Sequence, residues 1–166
     1  VLKRFYECAK QFGLTTIIRV TSDCPLIDAK VITEGLSIYQ ECNDKDVYYS
    51  NTIKRVYPRG MDYEIFSAEL LEQAFLNATD ISDKEHVTPY IWKNTSGNVT
   101  VKQDLNLDED CSAYRITLDT EEDKELLTTL IEDYNADELS CKSIIDILKQ
   151  HPLLVEINSM IEQKKV

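Results

Sequence analysis

The sequence predicts a single α/β domain whose sheet is covered by helices on both faces. Three observations lead there. Short β-branched or alternating runs, of which Thr15–Thr21 is the clearest, take turns along the chain with segments of helical periodicity. Helix-start residues follow several of those runs directly, as with Ser67 and with Thr120 ahead of Asp123. Two aspartates, Asp23 and Asp119, stand at the carboxyl ends of such runs, where open α/β sheets bind their ligands.

Composition sets the outer bounds. A chain of 166 residues is one ordinary domain with room for a proper core. Hydrophobic residues at 43% and charged residues at 29% describe a globular protein. The net charge of −12 disfavours a nucleic-acid backbone or an anionic membrane as the main partner. It is compatible with a nucleotide held through a metal, because Mg²⁺ sites are themselves acidic. No apolar run is long enough to insert across a bilayer. Cys8, Cys24, Cys42, Cys111 and Cys141 form no C-x-x-C pair, and no secretory leader precedes them. They read as free thiols of a cytoplasmic protein.

The elements follow in order. Leu2, Phe5, Tyr6 and Ala9 fall at helical spacing, and Gly13 closes that helix after Phe12. A chain opening inside a helix reads as part of something longer. Thr15–Thr21 is the first strand. Pro25 cannot donate to a ladder and pushes Cys24 out of the α region, so the strand stops before Asp23. Asp28 caps a helix to Cys42 that turns Val31, Ile32, Leu36 and Tyr39 inward. After a turn at Asn43–Asp46 comes a short strand, Val47–Ser50, then a loop, Asn51–Met61, punctuated by Pro58 and Gly60. Asp62–Phe66 alternates as a strand with Asp62 and Glu64 on one face. Ser67 caps a helix to Asn77. Ser82–Glu85 reads as a capping box for a helix through His86, with Pro89 bending it or ending its first turn. Val99–Gln103 is a polar strand near an edge, and Tyr114–Leu118 a strand ending at Asp119. Thr120 opens a helix to Tyr134, and Ser140–Gln150 and Pro152–Gln163 are two more. The expected total is about five strands and seven helices.

Asp23 and Asp119 are the leading candidates for chemistry. Two carboxylates plus phosphate oxygens suit Mg²⁺. Asp is also a common turn and N-cap residue, and spacing alone leaves both readings open. Asp62 and Glu64, beside Arg59, form either a hydroxyl-recognising patch or a solvated strand face. Glu85 and His86, expected in the first turn of a helix, are either a phosphate contact or a capping pair. Arg19 and Arg115 lie inside apolar strands and need a partner, phosphate or buried carboxylate. Tyr48, Tyr49, Tyr57, Tyr63 and Tyr90 are either base-stacking or core residues.

Five segments then occur in a telling order: IRVTSDCPLID at 18–28, YSNT at 49–52, YPRGMDYEIFS at 57–67, EHVTPYI at 85–91 and YRITLDTEED at 114–123. Together they resemble the cytidylyltransferase family of spore coat polysaccharide biosynthesis protein F. That family is related to the CMP-sugar-acid synthetases for 3-deoxy-manno-octulosonate and acylneuraminate. The resemblance implies a Rossmann-like, glycosyltransferase-A-type nucleotidyltransferase fold with a mostly parallel or mixed sheet. It implies CTP and a sugar as substrates, Mg²⁺ as cofactor, and surface or spore-coat polysaccharide synthesis as the setting. Asp23 and Asp119 match the metal-binding, catalytic aspartates. Arg19, Thr21 and Ser22 fall among the nucleotide contacts, and Asp62, Glu64 and His86 on the acceptor-sugar side. Ser22 stands where the family carries glycine, and Arg59 where it carries an acidic or small residue, a change that bears on the acceptor.

The family opens with a strand and a Gly/Arg/Lys loop that cradles the triphosphate, and no segment here matches it. By resemblance the chain is the C-terminal two-thirds of the enzyme, with the first β-α-β portion missing. Little CTP-dependent activity is then expected of it alone, together with an unpaired sheet edge that invites a homodimer. Two other functions fit the same residues: a glycosyltransferase using a nucleotide-sugar, and a degenerate domain used only for assembly.

Overall fold

The computed structural model describes residues 1–162. Its sheet has four strands, β1 (Thr16–Arg19), β2 (Val47–Ser50), β3 (Glu64–Ser67) and β4 (Thr100–Gln103), in the spatial order β1-β3-β2-β4. β3 is antiparallel to both β1 and β2, and β4 is parallel to β2. The sheet is therefore mixed, with one parallel pair. β1, β2 and β4 point the same way, so their carboxyl ends share an edge with the amino end of β3.

Helices cover both faces. They are α1 (Leu2–Phe12), α2 (Ala29–Glu41), α3 (Ala68–Asn77), α4 (Ile81–His86), α5 (Pro89–Trp92), α6 (Glu121–Tyr134), α7 (Cys141–Gln150) and α8 (Pro152–Glu156). Strand alternation distributes the core between them. Ile17, Tyr48 and Phe66 pack with Leu2 and Ala9 of α1, Leu70, Leu71 and Ala74 of α3, and Ile91 of α5. Val47, Tyr49 and Ile65 face the other way, onto Tyr39 of α2. A third cluster joins Met61 and Ile116 to Leu126, Leu130, Ile144 and Leu148 of α6 and α7. Each large side chain so buried contributes about 1.5–3 kcal/mol. The stacked rings of Tyr6 and Phe75, 4.3 Å apart, fasten α1 to α3.

Local capping explains most helix ends. Gly13 closes α1 in the left-handed conformation, at φ 60°. Asp28 accepts from the Lys30 N–H at 2.8 Å, and Ser67 from the Leu70 N–H at 3.1 Å. Thr120 and Asp123 form the expected reciprocal capping box.

The structure corrects several expectations. β1 is shorter than Thr15–Thr21. β3 begins at Glu64, so Asp62 precedes the strand. Tyr114–Leu118 joins no strand of the sheet. Its backbone divides between two loops: an isolated bridge pairs Arg115 with Arg59, and the Leu118 N–H donates to the Asp23 carbonyl. The described residues thus hold four strands and eight α-helices. The capping box expected at Ser82 does not form, because α4 starts at Ile81 with Asp80 at its N-cap. His86 consequently ends a helix instead of starting one. Thr88 then precedes a new short helix with Pro89 at its first position, where the missing N–H costs no hydrogen bond. The last helix stops at Glu156, and the Gln163 end of the predicted Pro152–Gln163 helix lies outside the described residues.

β1 is an edge strand, and Ile18 and Val20 on and just beyond it are exposed. All five cysteines are free thiols. Among the described residues, no helix is long and apolar enough to cross a membrane.

Candidate active site

A cavity of about 830 Å³ opens at the carboxyl ends of β1 and β2 and the amino end of β3. The strand polarity fills it from four segments. β1 and its exit supply Arg19, Thr21 and Asp23. The β2–β3 loop supplies Thr52, Arg55, Arg59 and Asp62. β3 opens with Glu64, and the α4–α5 junction adds His86 and Thr88. Of the predicted site residues, Arg19, Thr21, Asp23, Asp62, Glu64 and His86 line this one cavity. Ser22 is exposed and lies outside the lining, as does Asp119.

Asp119 nevertheless stands beside Asp23 along the backbone. The Leu118 N–H donates to the Asp23 carbonyl at 2.8 Å, which draws two segments distant in sequence together one residue before Asp119. The Asp119 side chain is 47% exposed, and its Oδ2 accepts from Arg115 Nη2 at 2.7 Å. Among the described residues no hydrogen-bond donor reaches its Oδ1. Asp23 is half-buried, and among the described residues its carboxylate meets only the Cys24 thiol at 3.9 Å. Burial pushes that thiol up to about 11, so Cys24 is a packing residue with no thiolate character near neutrality.

The arginines divide by partner. Arg19, left open by the sequence, meets a carboxylate: its guanidinium pairs with Glu64 across the β1–β3 register. Glu64 also accepts from Tyr48 Oη at 2.5 Å and Thr88 Oγ1 at 2.6 Å, so its carboxylate is occupied by the protein. Arg55 grips Asp62 with both terminal nitrogens, at 2.5 and 2.8 Å. Arg59 has no carboxylate partner among the described residues. Burial, with Arg55 and Arg115 close by, holds its guanidinium below the usual arginine value although Asp62 opposes the shift. Its backbone is fixed by the bridge to Arg115 and by Gly60 at φ 105°, where an added Cβ would meet the Ile116 carbonyl at 2.5 Å.

The tyrosines resolve as core. Tyr48, Tyr49, Tyr57 and Tyr63 are buried, and Tyr63 Oη donates to the buried Asp104 at 2.6 Å. Tyr63 still contributes to the cavity wall. Sequence reasoning missed Thr52, Arg55 and Trp92, which also line the cavity. The first two sit in a loop without periodicity, where no local signal marks them.

The two aspartates fit a hard divalent cation. Among the described residues no three His, Cys, Asp or Glu side chains cluster as a metal cage. Mg²⁺ does not require one: it is held by one or two carboxylates, with phosphate oxygens and water completing its shell. Among the described residues, Asp23 and Asp119 each keep at least one carboxylate oxygen without a nitrogen or hydroxyl donor, which is what that role demands.

Carboxylates and guanidinium groups gathered beyond the strand ends of an open α/β sheet stand where such folds bind their ligands. A Cytidylyltransferase family model matches residues 1–164, and the chain belongs to that family. The chain is 30% identical over 164 residues to an uncharacterized protein of Methanocaldococcus jannaschii, covering 99% of this chain and 65% of that protein. It is 29% identical over 156 residues to spore coat polysaccharide biosynthesis protein SpsF of Bacillus subtilis, covering 92% and 62%. A solved structure of a cytidylyltransferase from Leptospira borgpetersenii superposes with a TM-score of 0.87 at 32% identity, covering 98% of this chain and 67% of that one. The chain therefore spans a little under two thirds of the length of these curated relatives. Its fold is the mixed-sheet α/β fold of the cytidylyltransferases.

Proposed function

We propose that this chain forms part of a CMP-sugar synthetase: an enzyme that transfers the cytidylyl group of CTP to a sugar oxygen and releases pyrophosphate, for surface-polysaccharide synthesis. The observation that carries the reading is the juxtaposition of Asp23 and Asp119 at the open end of the sheet through the Asp23–Leu118 backbone bond. The likeness to SpsF supports the polysaccharide setting.

In this reading a sugar hydroxyl attacks the α-phosphorus in line. The new P–O bond forms as the bond to the β-phosphate oxygen breaks, and the hydroxyl proton leaves to solvent. Asp23 and Asp119 would hold Mg²⁺, which neutralises phosphate charge and favours departure of pyrophosphate. The chain's own contribution is positioning. Thr21 and Thr52 offer hydroxyls to the nucleotide. The Arg19–Glu64 and Arg55–Asp62 pairs stiffen the wall between nucleotide and acceptor, with His86 and Thr88 on the acceptor side.

The test is product analysis with the complete synthetase of which this chain forms part, given CTP, Mg²⁺ and candidate sugars. Pyrophosphate should appear together with a CMP-sugar. Release of a nucleoside diphosphate from a nucleotide-sugar would replace this reading with glycosyl transfer, and failure to bind CTP with Mg²⁺ would favour a purely structural domain.

Arg59 adds a statement about the acceptor. A guanidinium on a fixed loop, with no directly paired carboxylate among the described residues, favours a sugar carrying a carboxylate. Arg59→Ala should raise KM for an acidic acceptor by about 10–100-fold, the worth of one charged hydrogen bond, with KM for CTP little changed. Equal effects on acidic and neutral acceptors would remove Arg59 from acceptor recognition.

A further inference from the structure

Asp123 does more than cap a helix. A capping box needs one contact between its carboxylate and the Thr120 N–H, and that contact is present at 3.2 Å. The same fully buried carboxylate also accepts from Arg115 Nε at 2.8 Å, Arg115 Nη2 at 2.7 Å, the Asp119 N–H at 3.0 Å and Asn158 Nδ2 at 2.8 Å. Asn158, itself buried, comes from the segment after α8 and also donates to the Arg115 carbonyl at 3.1 Å. Two nearby carboxylates thus hold the Arg115 guanidinium, and Asn158, distant in the chain, braces the Asp123 carboxylate and the Arg115 backbone.

That guanidinium faces the candidate metal ligand. Arg115 Nη2 is shared between Asp123 Oδ2 and Asp119 Oδ2, both at 2.7 Å. Without it, Asp119 would be an exposed loop carboxylate free to rotate. With it, one oxygen is anchored and Oδ1 has no protein donor among the described residues. This is the arrangement by which outer partners orient a ligating carboxylate.

We propose that Arg115, locked by Asp123 and Asn158, is a positioning residue that orients the Asp119 carboxylate for a divalent cation bound with the nucleotide. The inference rests on the metal reading of Asp119 given above. Arg115 touches neither substrate nor cation; it acts through Asp119. Asn158 is one step further out, and its loss reaches the site only through Asp123 and the Arg115 backbone. The fork of the guanidinium is essential, because two carboxylates and three separate N–H···O bonds are satisfied by one rigid plane.

The experiment titrates Mn²⁺ into the full chain with CTP present and no acceptor, read by water-proton relaxation, so that no turnover is needed. Asn158→Ala should weaken Mn²⁺ binding by about 10-fold or more, within the 10–100-fold range typical of outer partners. Arg115→Lys, which keeps the charge but not the fork, should lose affinity to a similar extent. Leu71→Ala, a core truncation in the α1–α3 cluster, which contains no neighbour of Arg115, Asp119 or Asn158, should lower Tm and leave the Mn²⁺ dissociation constant unchanged. If Asp119→Asn loses Mn²⁺ while Asn158→Ala and Arg115→Lys bind it within about twofold of wild type, the positioning role is overturned and the metal assignment stands. If Asp119→Asn binds Mn²⁺ as well as wild type, the metal assignment falls and this inference falls with it.

Discussion

In the complete synthetase, Asp23→Asn lowers kcat for pyrophosphate release by about 10²–10³-fold while the protein stays folded. The magnitude follows from removing one of two carboxylates that hold a charge-neutralising cation, a role worth several kcal/mol at about 1.4 kcal/mol per tenfold in rate. The preserved fold follows from where the structural work of this residue is done. Its backbone carbonyl takes the Leu118 N–H, and among the described residues its side chain meets only the Cys24 thiol at 3.9 Å. Asn keeps the size and the backbone contact and removes only the charge. The measurements are steady-state pyrophosphate release and a thermal melt on the same preparation. A Tm close to wild type with kcat down at least 10²-fold is the expected pair. Turnover within about threefold of wild type would take Asp23 out of the metal site.

What could be read from the sequence divides along the range of the interactions. Asp28, Ser67 and the Thr120–Asp123 box were legible because donor and acceptor lie within three residues of each other. The strand at Val47–Ser50 was legible to the residue because both its faces are apolar and Asn51 ends it. Tyr114–Leu118 was legible as extended chain, yet its partners are a loop at Arg59 and a loop at Asp23, and pattern alone does not choose between a strand and a loop as partner. The helix ahead of His86 was misplaced for a related reason. Ser82–Glu85 has the composition of a capping box, but the helix starts two residues earlier, at Ile81 with Asp80 at its N-cap. At the site, Asp23 and Asp119 could be singled out by position at the ends of extended runs. Their meeting could not, since it depends on one long-range backbone bond. Asn158 falls within the stretch of resemblance but carries no local signal of its role: it lies after a short helix, and its reach to Asp123 exists only in three dimensions.

Glu64→Ala destabilises the fold by about 3–5 kcal/mol, the cost of stripping one partner from a buried ion pair. Alternation along Asp62–Phe66 pointed to a face shared with solvent, but β3 lies between β1 and β2, and all four of its residues are buried. Glu64 is 6% exposed. Three groups depend on it: the Arg19 guanidinium on β1, the Tyr48 hydroxyl on β2 and the Thr88 hydroxyl before α5. Burial, and then the Glu64 charge, push the Tyr48 phenol well above its ordinary value, so it remains a donor at any working pH. Alanine therefore leaves a largely buried cation and two buried hydroxyls without their acceptor. Gln keeps the volume and one accepting oxygen, and should cost less, about 1–3 kcal/mol. Denaturant midpoints of the two variants measure the difference. A double-mutant cycle with Arg19→Ala separates the pair from the hydroxyls: if the charge dominates, the double variant is clearly more stable than the sum of the singles implies. A loss below about 1 kcal/mol for Glu64→Ala would mean that water reaches Arg19 from the cavity and pairs it instead. Since Arg19 and Thr88 both line that cavity, the same carboxylate that ties three elements together also sets the shape of the wall the acceptor would meet.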